Sequence, residues 1–189
     1  MTPPASLQLV RLLQLASPAL PVGAYTYSQG LEWAVESGVI RDEASAGRWI
    51  ADLLGHGIGR YEAPLVAALM EAWAAARHPE IRRLNGEFLA SRESLELRAE
   101  TVQMGFSLRR LIRDLRDERL AFVAEQIETL PEVAFPVAWS GVAAQWGIPI
   151  DAALTAYLWA WAENQVMAAL KAVPLGQAFD RAGLLFGIR

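Results

Sequence analysis

Across residues 133–162 the only charged side chain is Asp151. A stretch this apolar must leave water, either into lipid or into a protein core. A membrane-spanning helix needs about 20 continuous apolar residues. Here Pro136, Gly141, Gly147 and Pro149 divide the run, and Glu163, Asn164 and Gln165 follow it directly. The spacing predicts two buried core helices that meet near 147–149, rather than a membrane hairpin. The rest of the chain must then supply faces that cover them.

Helical periodicity dominates those other segments, and no alternating strand pattern of useful length occurs. Residues 6–16 read as a helix with Leu9, Leu12, Leu13 and Ala16 on one stripe. Thr26 and Gln29 fit a capping box for a helix running to Ser37, where Gly38 supplies a left-handed cap and Val39 the contact beyond it. Asp42 can cap a helix that reaches about His56, where Gly55, Gly57 and Gly59 loosen its end. Further helices are expected over 61–76 with Pro64 in its first turn, from Pro79 to Ser91, and over 93–114, 118–130, 136–146 and 151–173. Pro174 ends the last of these, and 176–187 form a short final helix. Alanine and leucine raise the hydrophobic share to 53% and favour helix. The expectation is one all-α domain over 1–189, a compact bundle of roughly eight to ten helices.

Much enzymatic chemistry is missing from the sequence. There are no cysteines, which removes disulfides and thiolate metal sites and suits a reducing, cytoplasmic setting. His56 and His78 are the only histidines, and neither has a partner at helical metal-site spacing. Ser28, in "YSQG", lacks the preceding strand and glycine of a nucleophile elbow. No phosphate-binding glycine loop is present. Glu93, Glu96 and Glu100 align on one helical face, with Arg92 and Arg98 interleaved to form intrahelical pairs. Arg109, Arg110, Arg113, Arg116 and Arg119 crowd one region, but acids interleave and the net charge is −4, so a solvated face is favoured over a nucleic-acid surface. These facts point to a binding or scaffolding protein.

Two stretches invite a partner. In "SPALPVGAYTYSQGLEW" Pro18 and Pro21 stiffen the backbone, and Gly23 permits a turn. Tyr25 and Tyr27 offer apolar faces with polar tips, with Tyr27 expected inward beside Leu31 and Ala34. In "WAENQVMAALKAVPLGQ" Lys171 is the single lysine of the chain. Three readings stand for it: a contact that needs a compact ammonium, a cation at a helix C-terminus, or chance. Glu163, Asn164 and Gln165 there either face solvent or form a buried polar network.

These stretches resemble the UreF family of urease accessory proteins. "SPALPVGAYTYSQGLEWAVESG" is similar to that family's N-terminal signature. "FLASRESLELRAETVQMGFSLRRL" resembles its Arg-Glu-rich central helix, with Arg92, Glu93, Glu96, Arg98 and Gly105 at matching positions. "AENQVMAALKAVPLGQ" resembles its Val-Pro-x-Gly-Gln segment. The resemblance runs in the same order over nearly the whole chain. It implies an all-α, non-catalytic protein of urease maturation that binds UreD (UreH), with the pair recruiting the GTPase UreG to deliver nickel to the urease apoprotein. It also implies GTPase regulation, frequent homodimers, and no cofactor bound directly, since nickel and GTP are handled by the partners. By motif, Lys171, Pro174, Gly176 and Gln177 would serve GTPase communication. Pro21, Gly23, Tyr25, Tyr27, Ser28, Gly30 and Glu32 would lie near partner surfaces. Family members continue beyond the Leu-Gly-Gln segment, so the implied domain over 1–189 lacks the family's C-terminal tail. The residues alone leave a second reading open, a small helical metal-binding protein or enzyme using a Glu/His cluster.

Overall fold

A computed structural model describes residues 4–23 and 30–172. In chain order these form α1 (Ala5–Ala16), α2 (Leu31–Glu36), α3 (Glu43–Asp52), a π-helical run Leu53–Glu62, α4 (Ala63–Ala74), α5 (His78–Ala90), α6 (Leu95–Leu115), a 3-10 turn Glu118–Leu120, α7 (Ala121–Glu128), α8 (Phe135–Gln145) and α9 (Ile150–Ala172). The fold is all-α, with no strand among the described residues.

The first part of the apolar run becomes the centre of the molecule. Every residue of α8 from Pro136 to Ala143 is buried, so the helix has no solvent face. It lies between α4 and α6, with Trp73 Nε1 donating to Val137 O at 3.0 Å. Two glycines permit this closeness. A Cβ on Gly105 would fall 2.0 Å from Val133 O, and one on Gly141 would fall 2.9 Å from Val123 Cγ1. The N-terminus of α8 has no capping side chain of its own. Asn85 Oδ1 accepts from Ala134 N at 2.9 Å and Thr101 Oγ1 from Phe135 N at 3.1 Å, so α5 and α6 satisfy donors that burial would otherwise orphan.

α9 joins two cores. Its first half, with Ala153 and Tyr157, belongs to the main core. Its second half, with Val166 and Ala169, packs against Leu31 and Ala34 of α2 and Ala46 and Ile50 of α3. The corner between α8 and α9 falls at Gly147, as the sequence suggests. Among the described residues no helix is long and apolar enough to cross a membrane.

Several local expectations hold, and three need correction. Asp42 caps α3 by accepting from Ser45 N at 2.8 Å, and the Ser45 hydroxyl, followed by this backbone bond, holds its carboxyl below the usual carboxylate value. Gly38 adopts the left-handed cap with φ +73°. However, Ile40 rather than Val39 makes the apolar contact beyond it, being 1% exposed against 52%.

Only half of the stripe expected on α1 docks, Leu12 packing against the main core and Ala16 being half-buried. Leu9 and Leu13 are 56% and 60% exposed, while Arg11 and Leu15 are buried. Polar anchors set this rotation. Gln8 Nε2 donates to Gly147 O at 2.8 Å, Trp139 Nε1 donates to Leu15 O at 3.3 Å, and the Arg11 guanidinium lies over Trp146.

The glycines at 55–59 do not end a helix either. The chain continues through the π-helical run into α4 without a break. At Gly59 a Cβ would stand 2.7 Å from Leu54 O, so this wide turn requires glycine. The boundary segments that sequence places at Thr26–Gln29, Pro174 and 176–187 lie outside the described residues.

Candidate functional site

A cavity of about 410 Å³ opens beside the main core. Its walls come from the three motif segments and the π-helical run. Pro18, Leu20 and Val22 line it from the N-terminal turn, Arg92, Glu93 and Glu100 from the central motif, and Trp161, Glu163 and Asn164 from α9. Residues far apart in sequence are thus brought to one concave surface.

Its polar floor is a buried ion pair. Arg92 Nη1 donates to Glu62 Oε1 at 2.9 Å, and Tyr157 Oη donates to Glu62 Oε2 at 3.0 Å. Both carboxylate oxygens are therefore occupied. The Arg92 and Glu62 side chains are only 17% and 8% exposed. Arg92 also donates to Ser91 Oγ, and its guanidinium lies 4.1 Å from the Phe88 ring centroid, a cation–π contact. Its Nε is buried with no hydrogen-bond partner among the described residues. Burial, and then the negative charge of Glu62, push the Tyr157 phenol well above its ordinary value. Tyr157 thus stays a proton donor to the carboxylate throughout the neutral range.

This arrangement holds position and does not prepare a reaction. The carboxylate is engaged on both sides, the phenol is locked as a donor, and the remaining walls are largely apolar. The glutamate trio is not assembled. Glu93 precedes α6, Glu96 is exposed in its first turn, and Glu100 is buried. Nor do the interleaved arginines pair within the helix. Arg92 reaches Glu62, and Arg98 bonds Glu132 and Leu89 O. For Arg92 the tertiary partner wins because a paired charge gains more where water is excluded, whereas the Arg98–Glu132 pair stays partly exposed. Among the described residues no group of three or more His, Cys, Asp or Glu could hold a metal ion.

The other motif residues distribute as follows. Pro21 and Gly23 are exposed at the turn beside the cavity, Gly23 with φ +77°. Gly30 precedes α2 with φ +87°, a left-handed position suited to glycine. Glu32 is exposed in the first turn of α2, and Lys171 is exposed in the last turn of α9. These two belong to the elements of the second core and do not line the cavity. Of the polar run, Gln165 is fully buried, while Glu163 and Asn164 are half-buried at the cavity wall. Tyr25, Tyr27, Ser28, Pro174, Gly176 and Gln177 lie outside the described residues.

Sequence reasoning missed Glu62 and Tyr157. One signal for the first was available, because Glu62 is the only acid between Asp52 and Glu71 and immediately precedes an apolar helix. Tyr157, in an uncharged run, had no comparable mark.

Comparisons with known proteins agree with the motif reading. The UreF family model matches residues 40–180. A urease accessory protein UreF from Dechloromonas aromatica (strain RCB) is 79% identical over 91% of the chain and 75% of its own length. One from Azoarcus sp. (strain BH72) is 63% identical, covering 91% of the chain and 74% of its own length. A third, from Methylobacillus flagellatus, is 46% identical over 95% of the chain and 79% of its own length. Three separated motifs meeting at one cavity, a family match across most of the chain and this level of identity lead to one conclusion: the chain belongs to the UreF family of urease accessory proteins, which are not catalytic enzymes.

Proposed function

We propose that the chain acts as a scaffold and regulator of the UreG GTPase during nickel insertion into the urease apoprotein. In this reading it binds UreD (UreH), and the pair recruits UreG. Nickel and GTP are handled by those partners, with no cofactor held directly. The setting is the cytoplasm, and the working unit includes a homodimer.

The observation that supports it best is the convergence of the three family motifs on one cavity whose buried Glu62, Arg92 and Tyr157 are held against one another. A protein that organises partners needs stable, shaped surfaces more than it needs titrating groups. In this reading Lys171, exposed in the last turn of α9, would meet the GTPase.

The test is reconstitution. The chain and UreD are purified together, and UreG GTPase turnover is followed with and without the pair. Co-purification and a changed turnover are expected. Lys171→Ala should keep the helical circular dichroism spectrum yet abolish the change in turnover. A pair that neither forms nor affects UreG would refute the proposal.

A further inference from the structure

We propose that the C-terminal half of α6 is a docking surface for an acidic protein partner, engaged through Phe106, Arg109, Arg110 and Arg113 and ending at Arg116. The inference rests on the scaffold reading, and it identifies the partner by charge.

The helix spacing separates two faces. Thr101, Met104, Gly105, Leu108 and Ile112 are buried against the core. Phe106, Arg109, Arg110 and Arg113 stand at i, i+3, i+4 and i+7 and so share another face. Phe106 on that face is 49% exposed, and the Arg109 guanidinium lies 5.5 Å from its ring centroid. Arginine and an aromatic ring together in water are the side-chain types enriched at binding hot spots.

The charges there are not consumed within the chain. Arg109, Arg113 and Arg116 make no ion pair among the described residues, and Arg110 reaches Asp114 only at 3.8 Å with both groups largely exposed. Elsewhere Arg83 is gripped by both Glu80 and Glu87, and Arg98 by Glu132.

Arg116 adds an independent observation. It ends α6 in the left-handed region at φ +49°, where glycine is the favoured residue. A cation stands at a position whose backbone disfavours it. The helix dipole favours a cation at Arg113 and Arg116, but that effect fades beyond the last turn and does not account for Arg109 or Arg110.

The occupant follows from charge. The chain as a whole carries −4, so a local arginine stripe creates a field that orients an acidic surface rather than reflecting general basicity. Asp114, Asp117 and Glu118 flank the stripe, which suits a protein's mixed surface better than the uniform charge of a phosphate backbone.

The experiment measures binding of UreD, UreG and urease apoprotein to the wild-type chain, to Arg109→Glu/Arg113→Glu and to the control Arg82→Glu, at low and moderate salt. Arg116→Gly is included because glycine suits that backbone and keeps the fold. One partner is expected to lose tenfold or more of its affinity with the double variant, a smaller amount with Arg116→Gly, and nothing with Arg82→Glu. Its wild-type affinity should also weaken as salt rises. Unchanged binding of all three partners to the double variant overturns the stripe and leaves the scaffold reading intact. If no partner binds the wild type, both readings fall. Duplex DNA held by the wild type and lost by the double variant, with protein partners unaffected, overturns the proposal in favour of nucleic acid.

Discussion

Replacing Arg92 by methionine keeps a long apolar stem over Phe88 and removes only the charge and its hydrogen bonds. Glu62 then remains as a carboxylate that is 8% exposed, with Tyr157 its remaining partner. Breaking a buried pair from one side costs about 3–5 kcal/mol, because the surviving charge keeps its desolvation penalty without compensation. For a chain of this size each kcal/mol moves the melting temperature by about 2–4 °C, so a fall of roughly 6–20 °C is expected. The double variant Glu62→Gln/Arg92→Met should regain most of that loss, since a neutral amide can still accept from Tyr157 and leaves no buried charge. Urea denaturation followed at 222 nm, with the four members of the cycle compared, measures the coupling directly. The exposed pair of Arg83 with Glu80 gives the contrast, and Arg83→Met should change little. A loss below about 1 kcal/mol for Arg92→Met, or a double variant no more stable than the single one, would refute the claim that water is excluded from this pair.

Gly105→Ala should destabilise the fold by about 3 kcal/mol or more, read from the same urea titration, because the new methyl meets the Val133 carbonyl rather than a movable side chain. Tyr157→Phe should cost about 1–3 kcal/mol, as Glu62 Oε2 loses its donor in a buried setting; a loss no larger than that of an exposed Tyr→Phe change would place water at that oxygen. Asp42→Ala should lower stability at neutral pH, with the deficit shrinking in acid. The folded carboxyl titrates below its unfolded value, so its contribution is present above the unfolded value near 3.8 and disappears as pH falls through the lower folded one. A deficit unchanged between pH 7 and pH 2 in urea titrations would contradict the cap.

The architecture was legible wherever one local rule sufficed. The run 133–162, with Asp151 its single charge, pointed to core, and it became the buried α8 and the first half of α9, where Ala153 and Tyr157 are buried but Trp159 is 43% exposed. Asp42, Gly38 and Pro79 marked helix ends correctly because capping and φ preferences act within a few residues. The motif residues Arg92 and Glu93 line the cavity, but not through the contacts their sequence suggested. Their neighbours in sequence suggested helix pairs, and the structure spends Arg92 on a residue thirty positions earlier.

What the sequence by itself determined is therefore the class of fold, most helix ends and the family, all of which depend on composition, short-range spacing and ordered motifs. Only the tertiary structure decided which face of α1 is buried, that the glycines at 55–59 widen a helix instead of ending it, and that Glu62, Arg92 and Tyr157 form one unit. The physical reason is common to all three. Each outcome is set by competition among partners from different elements, where burial strengthens the chosen contact and penalises any polar group left without one. Periodicity reports that a face or a charge is available, but the identity of its partner exists only once the elements have packed.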